Sequence, residues 1–280
     1  MIRTLVRKKQ ALTDRSRRPH GADTPEGNAP NKLTTMRKLL LLLAMLPWAA
    51  FAQTPDEDRI IDRTMDSESP YYYPNLMLRY NAGDTTLTAD DYHYLYYGYA
   101  YQDAYKPLDV NPDLDRTLLI ASRIDTQQPA RDDLEALIAS ADDALARDPF
   151  SPKLLNLMAF SYGALGDTIR ERAYYDRMQK VIATIEASGD GLTQKNPQHI
   201  LMFDHAVDVL TAAGLPAGKS RVVSRTVEYV PLVSPYTVDG RKVKGYYFDF
   251  SRIYRNKPEG YTFQRDRTWQ FNNLKPRTYK

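Results

Sequence analysis

The sequence predicts an α+β protein that is mainly α, in which repeat-like helical hairpins precede a small strand-helix-hairpin unit. Two observations support this fold class. Apolar residues recur at helical spacing over most of residues 53–190, which predicts amphipathic helices. Two β-rich runs, 222–233 and 244–253, flank the turn-forming stretch SPYTVDGRK and predict an antiparallel hairpin within a strand-helix-hairpin region, 191–256.

Residues 36–52 have the features of a secretory signal peptide. A positive start (Met-Arg-Lys) precedes the apolar run 39–46, and Ala50-Phe51-Ala52 forms a small-x-small cleavage site. The apolar run is shorter than the roughly 20 residues that cross a bilayer, and we expect no transmembrane span after cleavage. The pattern predicts cleavage after Ala52 and a periplasmic or secreted protein of a Gram-negative bacterium. Residues 1–35 are then expected to be an upstream extension from a start codon assigned too early.

Charge argues against a nucleic-acid partner. The whole chain has a formal charge of +3, but residues 53–280 hold 28 basic and 32 acidic side chains, because the leader carries the basic excess. A protein that binds nucleic acid through its charge needs basic surface. A local excess remains at the end of the chain, where residues 241–280 hold 11 basic and three acidic side chains. We expect residues 257–280 to form a basic, flexible tail.

Several kinds of chemistry are unlikely from composition. The chain has no cysteine, which excludes disulfides, thiolate zinc sites, a cysteine nucleophile and a lipidated cysteine anchor. After residue 52 the histidines are His93, His199 and His205, and no two of them share a helical spacing of three or four. We therefore expect no metal and no cofactor.

Residues that start or end helices divide the first part of the chain into short helices. Ile60 and Met65 lie on one face of a predicted helix, and Ser69-Pro70 ends it, because the residue before proline avoids the helical region. A second short helix is predicted over 75–80, with Gly83 in the left-handed conformation behind it. Asn111-Pro112 is typical of a helix start.

Residues 136–182 resemble a tetratricopeptide repeat, a 34-residue helix-turn-helix unit. Two independent anchors place the start of one unit at Pro152: the pair Ala144 and Pro149 as the end of the preceding unit, and Gly166-Asp167 as the turn between its own helices. Large or charged residues occupy some positions where the repeat has small ones. We expect one good helical pair within a degenerate array rather than a long solenoid.

Tyrosine makes up seven of the 17 residues in 91–107. Thr88 and Asp91 form a near-capping box, which favours a helix from Ala89 over a strand. A helix that is aromatic on two faces favours burial between other helices. The alternative is an exposed groove in which tyrosines hold a glycan or peptide. The candidate ligand-binding residues are Tyr71, Tyr72, Tyr73, Tyr94, Tyr97 and Tyr101.

Catalytic signals are weak. Residues 204–213 predict a helix capped by Gly214, on which Asp204 and Asp208 lie four apart with His205 beside them. This group is a weak candidate for proton transfer or a divalent ion, and a solvated helix start is the simpler interpretation. The sequence has no nucleophile elbow, Walker loop or dinucleotide fingerprint. We therefore assign no catalytic residue from the sequence.

Four stretches occur in an order and spacing that resemble a domain-of-unknown-function family (number 4919) of exported Gram-negative proteins. They are SPYYYPNLMLRY, AGDTTLTADDYHYLYYGYAYQDAYKPL, SGDGL and GYYFDF, and they cover about residues 69–251. The resemblance implies export but no activity. Family members tend to show His-Glu-Tyr-Asp where this chain has His205, Ala206, Val207 and Asp208, so a role that needs the glutamate is not expected here.

The sequence therefore favours an exported, soluble, non-enzymatic binding or interaction module whose partner is an envelope protein or carbohydrate. The alternative is a hydrolase or transferase that acts on envelope material through a His/Asp site. The surroundings of His205 distinguish the two. A cleft that brings its imidazole close to a second acidic side chain favours the enzyme, and burial favours the binding module.

Overall fold

The computed structural model describes residues 54–238 and 240–255, which form a mainly helical α+β fold, as the sequence predicts. Among these residues no helix is both long and apolar enough to cross a membrane. The helices are α1 (Glu57–Met65), α2 (Tyr73–Asn81), α3 (Ala89–Gly98), α4 (Pro112–Ala121), α5 (Arg131–Leu145), α6 (Pro152–Ala164), α7 (Thr168–Ala187) and α8 (Phe203–Ala212), with 3-10 turns at Tyr99–Tyr101 and Ser251–Tyr254. The strands are β1 (Gln198–His199), β2 (Arg221–Val222), β3 (Val227–Val238) and β4 (Arg241–Asp249).

Side-chain caps begin several helices where the sequence predicts. The backbone N–H of Asp91 donates to Thr88 Oγ1 over 3.1 Å, and the N–H of Thr88 donates to Asp91 Oδ2 over 2.8 Å, which completes the capping box of α3. Asn111 caps α4, with proline in its first turn. Behind α2, Gly83 has φ +74°, the left-handed conformation predicted for it.

Helices α4 to α7 pack in chain order, each against the next. The turn between α6 and α7 contains Gly166 at φ +85°, and Asp167 caps α7 through the N–H of Arg170. Small and apolar side chains of α5 and α6, Ala141, Ala144, Leu154 and Met158, make a separate buried cluster. The structure therefore contains the predicted helical pair around Gly166-Asp167, and the assignment to tetratricopeptide repeats stays a prediction.

The sheet has the order β1-β4-β3-β2, with β1 parallel to β4 and the other pairs antiparallel. The predicted hairpin forms, and its turn lies within the predicted stretch 234–242 but is shorter, because β3 continues to Val238 and β4 begins at Arg241. Residues 234–238 continue β3 instead of leaving it, and the register shifts between Pro231 and Tyr236. A proline cannot donate to a ladder and is accommodated where the pairing is irregular, so Pro235 does not end the strand. The first predicted run also divides, because Arg221–Val222 forms β2 and pairs back onto β3.

Tyrosines fill the main core. Helix α3 is buried from Asp91 to Gly98 because α1, α2 and α7 pack against it, which confirms the interpretation that the aromatic run is sandwiched between helices. Buried hydroxyls need partners. Several reach backbone carbonyls of distant segments, as Tyr80 does at Pro149 over 2.8 Å and Tyr105 at Leu201 over 2.7 Å. These bonds tie the helices to the loops that cover them.

Candidate functional site

The six tyrosines proposed as a ligand platform separate by burial. Tyr73 and Tyr94 are buried, and Tyr97 is 0% exposed, whereas Tyr71, Tyr72 and Tyr101 are partly exposed. The ring of Tyr71 packs on that of Tyr94 at a centroid distance of 4.2 Å, and the guanidinium of Arg255 covers Tyr101 at 4.2 Å. The faces of Tyr94 and Tyr97 are therefore enclosed by neighbouring helices and do not continue the partly exposed rings into an open groove.

His205 is enclosed in a buried hydrogen-bond network. Its side chain is 0% exposed. Nδ1 lies 2.7 Å from the Tyr96 hydroxyl, and Nε2 lies 3.1 Å from Asp148 Oδ2. The same hydroxyl accepts the backbone N–H of Leu201 over 3.1 Å. A neutral imidazole with its proton on Nε2 satisfies this set, since Tyr96 then donates to Nδ1 and Nε2 donates to Asp148.

The two carboxylates beside His205 face a different partner. The Lys153 ammonium lies 3.4 Å from Asp208 Oδ1 and 3.5 Å from Asp204 Oδ2, which ties α8 to the start of α6. Burial raises the pKa of Asp208, although Lys153 opposes the shift. For His205, burial by itself lowers the pKa, but the charge and hydrogen bond of Asp148 outweigh it and leave the pKa above its usual value. The three candidates thus divide between two sets of contacts.

Sequence reasoning did not find the partners of His205. Tyr96 lies 109 residues earlier in the chain and Asp148 57 residues earlier. Tyr96 is one tyrosine among seven in residues 91–107, and Asp148 belongs to none of the motifs quoted above. No local spacing marks either residue, because the network exists only once α3, α8 and the loop after α5 have packed together.

A second network lies where β1 meets β4. Asp249 Oδ1 is 3.6 Å from His199 Nδ1 and accepts the backbone N–H of Ser251 over 2.9 Å. Burial by itself raises the pKa of Asp249, but these hydrogen bonds outweigh it and lower the pKa to about 2. Arg252, 3% exposed, contacts His199 Nδ1 over 3.2 Å and covers the ring of Tyr97. This cluster holds the 3-10 turn after β4 against the tyrosine core.

An open pocket of about 240 Å³ lies where the end of α7, strands β1 and β4, and the end of α8 come together. Side chains of α8 and the loop after it supply one wall, Val209, Leu210, Ala213 and Leu215. The other elements contribute the polar side chains of the lining, Glu186, Asp190, Gln198 and Tyr246.

Gln198 is the unusual residue of this pocket. Its side chain is buried, at 6% exposure, and its Oε1 has no hydrogen-bond partner among the described residues. Buried polar atoms are nearly always paired, because an unpaired one loses its hydrogen bond to water. Tyr246 beside it is already engaged, since its hydroxyl meets that of Tyr236 at 2.5 Å. The side chain of Gln198 therefore lines the pocket, while its Oε1 stays unpaired inside the protein.

The glycines of the loop 188–192 shape this wall. A Cβ on Gly189 would lie 2.1 Å from the Pro197 carbonyl oxygen, so only glycine allows the loop to approach β1 this closely. Gly191 has φ +66°, and a Cβ there would lie 2.8 Å from the ring of Tyr246. The sequence predicted a turn here from SGDGL, but not the pocket, because the pocket forms only when α8 and β4, which follow later in the chain, pack against the end of α7 and β1.

The fold and the site define the class of protein. It is a mainly helical α+β domain that has a small mixed sheet and a pocket between the sheet and the helices. The chain belongs to the family described as Domain of unknown function (DUF4919), whose sequence profile matches residues 58–259. This match confirms the family resemblance of the four stretches quoted above. No curated protein and no solved structure matches the chain.

Proposed function

We propose that this chain is a non-enzymatic binding module exported to the envelope of a Gram-negative bacterium, and that the pocket beside Gln198 is its ligand site. The pocket itself carries the proposal, because the end of α7, the sheet and α8 bring apolar and polar side chains together around an open space of about 240 Å³.

The surroundings of His205 favour the binding module over a hydrolase or transferase. A general base has to reach the proton of a substrate, either directly or through one water molecule. Both ring nitrogens of His205 are engaged within the protein, and the side chain is fully buried. Asp204 and Asp208 bind Lys153. Among the described residues, the contacts of these three side chains are better explained as interactions that stabilise the packing of α8.

Export rests on the sequence. The leader, 36–52, and the basic tail, 257–280, both lie outside the described residues. The size of the pocket bears on the partner: about 240 Å³ accommodates one small group. An envelope carbohydrate or protein would therefore be held through a single sugar or side chain, and a free small molecule fits equally well.

One expression experiment tests both parts of the proposal. The full chain, made with its leader in a Gram-negative host, is expected in the periplasm with Gln53 as its first residue. Native mass spectrometry of the recovered protein, after incubation with the small-molecule fraction of an envelope extract, is expected to show a bound adduct. Protein that stays unprocessed in the cytoplasm would rule out export.

Two alanines at the end of α8 supply the matched variants. Ala213 lines the pocket, whereas the neighbouring Ala212 does not, and both positions are exposed. Ala213→Phe is expected to fill the pocket and abolish the adduct, and Ala212→Phe to retain it. No adduct on the wild type, or equal adducts on both variants, would contradict the assignment of the pocket.

A further inference from the structure

Strands β3 and β4 extend beyond the rest of the sheet as a two-stranded arm. The short strands β1 and β2 pair with the opposite ends of β4 and β3. Residues 236–238 of β3 pair with residues 241–243 of β4, and no third strand joins them among the described residues. We call residues 233–238 and 241–244 the hairpin arm.

The hairpin arm exposes apolar side chains close together. Val233 is 66% exposed and Val238 is 48% exposed, and Pro235 between them is exposed as well. Single exposed apolar residues are ordinary, but a group of them marks an interaction surface. The hydroxyl of Tyr236 meets that of Tyr246 at 2.5 Å, which holds the arm against the sheet with these side chains outward.

Basic side chains accompany this apolar group. Arg241, Lys242 and Lys244 are exposed, and none of the three forms an ion pair with a described residue. On the neighbouring strand β2, the exposed guanidinium of Arg221 lies over the ring of Tyr229 at 5.1 Å. The arm and the edge beside it therefore carry cations whose charge the protein does not neutralise.

Charge is divided unequally between the helices and the sheet. Residues 54–215, which contain the helices, hold 14 basic and 27 acidic side chains, whereas residues 216–255 hold eight basic and three acidic ones. An anionic surface would repel the helical part and attract the arm, so the arm would face that surface during an encounter.

We infer that the hairpin arm docks on a lipid bilayer with anionic headgroups. Arg241, Lys242 and Lys244 lie at the level of the headgroup phosphates, which supply the missing counter-charges. Val233 and Val238 enter the boundary between headgroups and acyl chains, as the apolar side of an interfacial segment does. Cations alone would suit any polyanion, and the exposed valines favour the bilayer. This surface is separate from the pocket, and neither proposal depends on the other.

Co-sedimentation with vesicles tests this inference on residues 53–280, which contain the whole described domain. Vesicles of phosphatidylglycerol and phosphatidylcholine in equal parts are expected to bind the protein. Vesicles of phosphatidylcholine alone are expected to bind it at least about tenfold more weakly, since each basic residue at an anionic surface contributes about 1 kcal/mol. Added salt is expected to weaken the binding through screening.

Two double variants test the charges of the arm. Lys242→Glu with Lys244→Glu is expected to weaken binding to the anionic vesicles by about tenfold or more. Lys106→Glu with Arg123→Glu makes the same change in net charge at exposed positions among the helices, and is expected to weaken binding by less than about threefold.

A pair of valines tests the apolar contact without a change of charge. Val233→Ser is expected to weaken binding several-fold, because it removes an apolar side chain from the bilayer. Val110→Ser is the matched control, since Val110 is 75% exposed in the loop before α4, and this variant is expected to bind as the wild type does. Both valines are exposed, so circular dichroism is expected to show an unchanged fold in both variants.

Three results would overturn the inference. The first is an absence of binding to the anionic vesicles. The second is binding that Lys242→Glu with Lys244→Glu leaves unchanged, which would assign the attraction to the basic tail that every variant retains. The third is equally tight binding to polygalacturonate together with no effect of Val233→Ser, which would replace the bilayer by an anionic polysaccharide. None of these results bears on the pocket, which the Ala213→Phe experiment tests.

Discussion

At the scale of single residues, the core accommodates polar side chains by giving each a specific surrounding. Tyr80 and Tyr105 bury large rings and place their hydroxyls on backbone carbonyls. The surroundings of His93 are aromatic instead. Its ring packs edge-on against Tyr94 and Tyr97, at centroid distances of 5.3 and 5.1 Å. Burial among these rings disfavours the charged imidazole and lowers the pKa of His93 to about 4.

The low pKa of His93 predicts a loss of stability in mild acid. Below pH 6.5 the unfolded chain protonates this histidine and the folded protein does not, so stability falls as the pH drops from 6.5 to about 4. At pH 5 the loss is about 2 kcal/mol. His93→Phe keeps the ring contacts and removes the titration. Urea unfolding at pH 7 and at pH 5 measures the effect. Between these pH values the free energy of unfolding is expected to fall by about 2 kcal/mol less in the variant than in the wild type.

Tyr175→Phe, a change at an exposed ring, is the control and should decrease in stability as the wild type does. Carboxylates that titrate in the same range contribute equally to all three proteins. An identical decrease in wild type and His93→Phe would show that His93 is not the acid-sensitive group.

At the scale of elements, side-chain caps set the ends of several helices. Glycines set the shape of the loops that join them. Gly189 and Gly191 bring the chain from α7 back against β1 and β4. This approach sets the position of Gln198 and one wall of the pocket. The loop therefore links the stability of the sheet to the geometry of the pocket.

Gly189→Ala is expected to destabilise the protein by about 3 kcal/mol or more, because the methyl group would overlap the Pro197 carbonyl, which is backbone and cannot turn aside. Gly214→Ala is the comparison. Gly214 has φ +72° but no atom near the position of a Cβ. An alanine there therefore costs only the strain of the left-handed conformation, about 1 to 2 kcal/mol. Urea unfolding measures both, and equal losses would contradict a steric role for Gly189.

At the scale of the whole molecule, the two ends of the described domain are joined. Arg252, after the last strand, donates to the Pro55 carbonyl over 3.0 Å, across 197 residues of chain. Its neighbour Arg255 pairs with Glu57 over 2.7 Å. Both guanidinium groups also lie over tyrosine rings, Arg252 on Tyr97 and Arg255 on Tyr101. The first and last elements therefore close on the same aromatic core.

Burial makes these two arginines unequal. Arg252→Met is expected to lower the free energy of unfolding by about 3 kcal/mol, because it breaks buried polar contacts with Pro55 and His199. Arg255→Met is the matched control and is expected to cost less than about 1 kcal/mol, since its ion pair is partly exposed. Urea unfolding of both variants checks the difference. Equal losses would mean that burial of Arg252 does not matter.

Much of the fold follows from short-range patterns. The capping box at Thr88, the starts at Asn111 and Asp167, and the left-handed Gly83 involve hydrogen bonds or backbone angles within a few residues, so the sequence predicts them. The predicted hairpin turn begins too early for the opposite reason. Pro235 has a strong local preference for a turn, but a ladder with a register shift keeps it within β3.

The sequence by itself predicted the family and the fold class and favoured burial of the aromatic helix over an exposed groove, since motifs, periodicity and caps act along neighbouring residues. Only the tertiary structure decided which tyrosines are enclosed, that Asp148 and Tyr96 occupy both nitrogens of His205, and that α7, the sheet and α8 form a pocket beside Gln198. Those outcomes depend on contacts between side chains tens of residues apart. No local pattern encodes them, because the sequence around one partner carries no signal of the other.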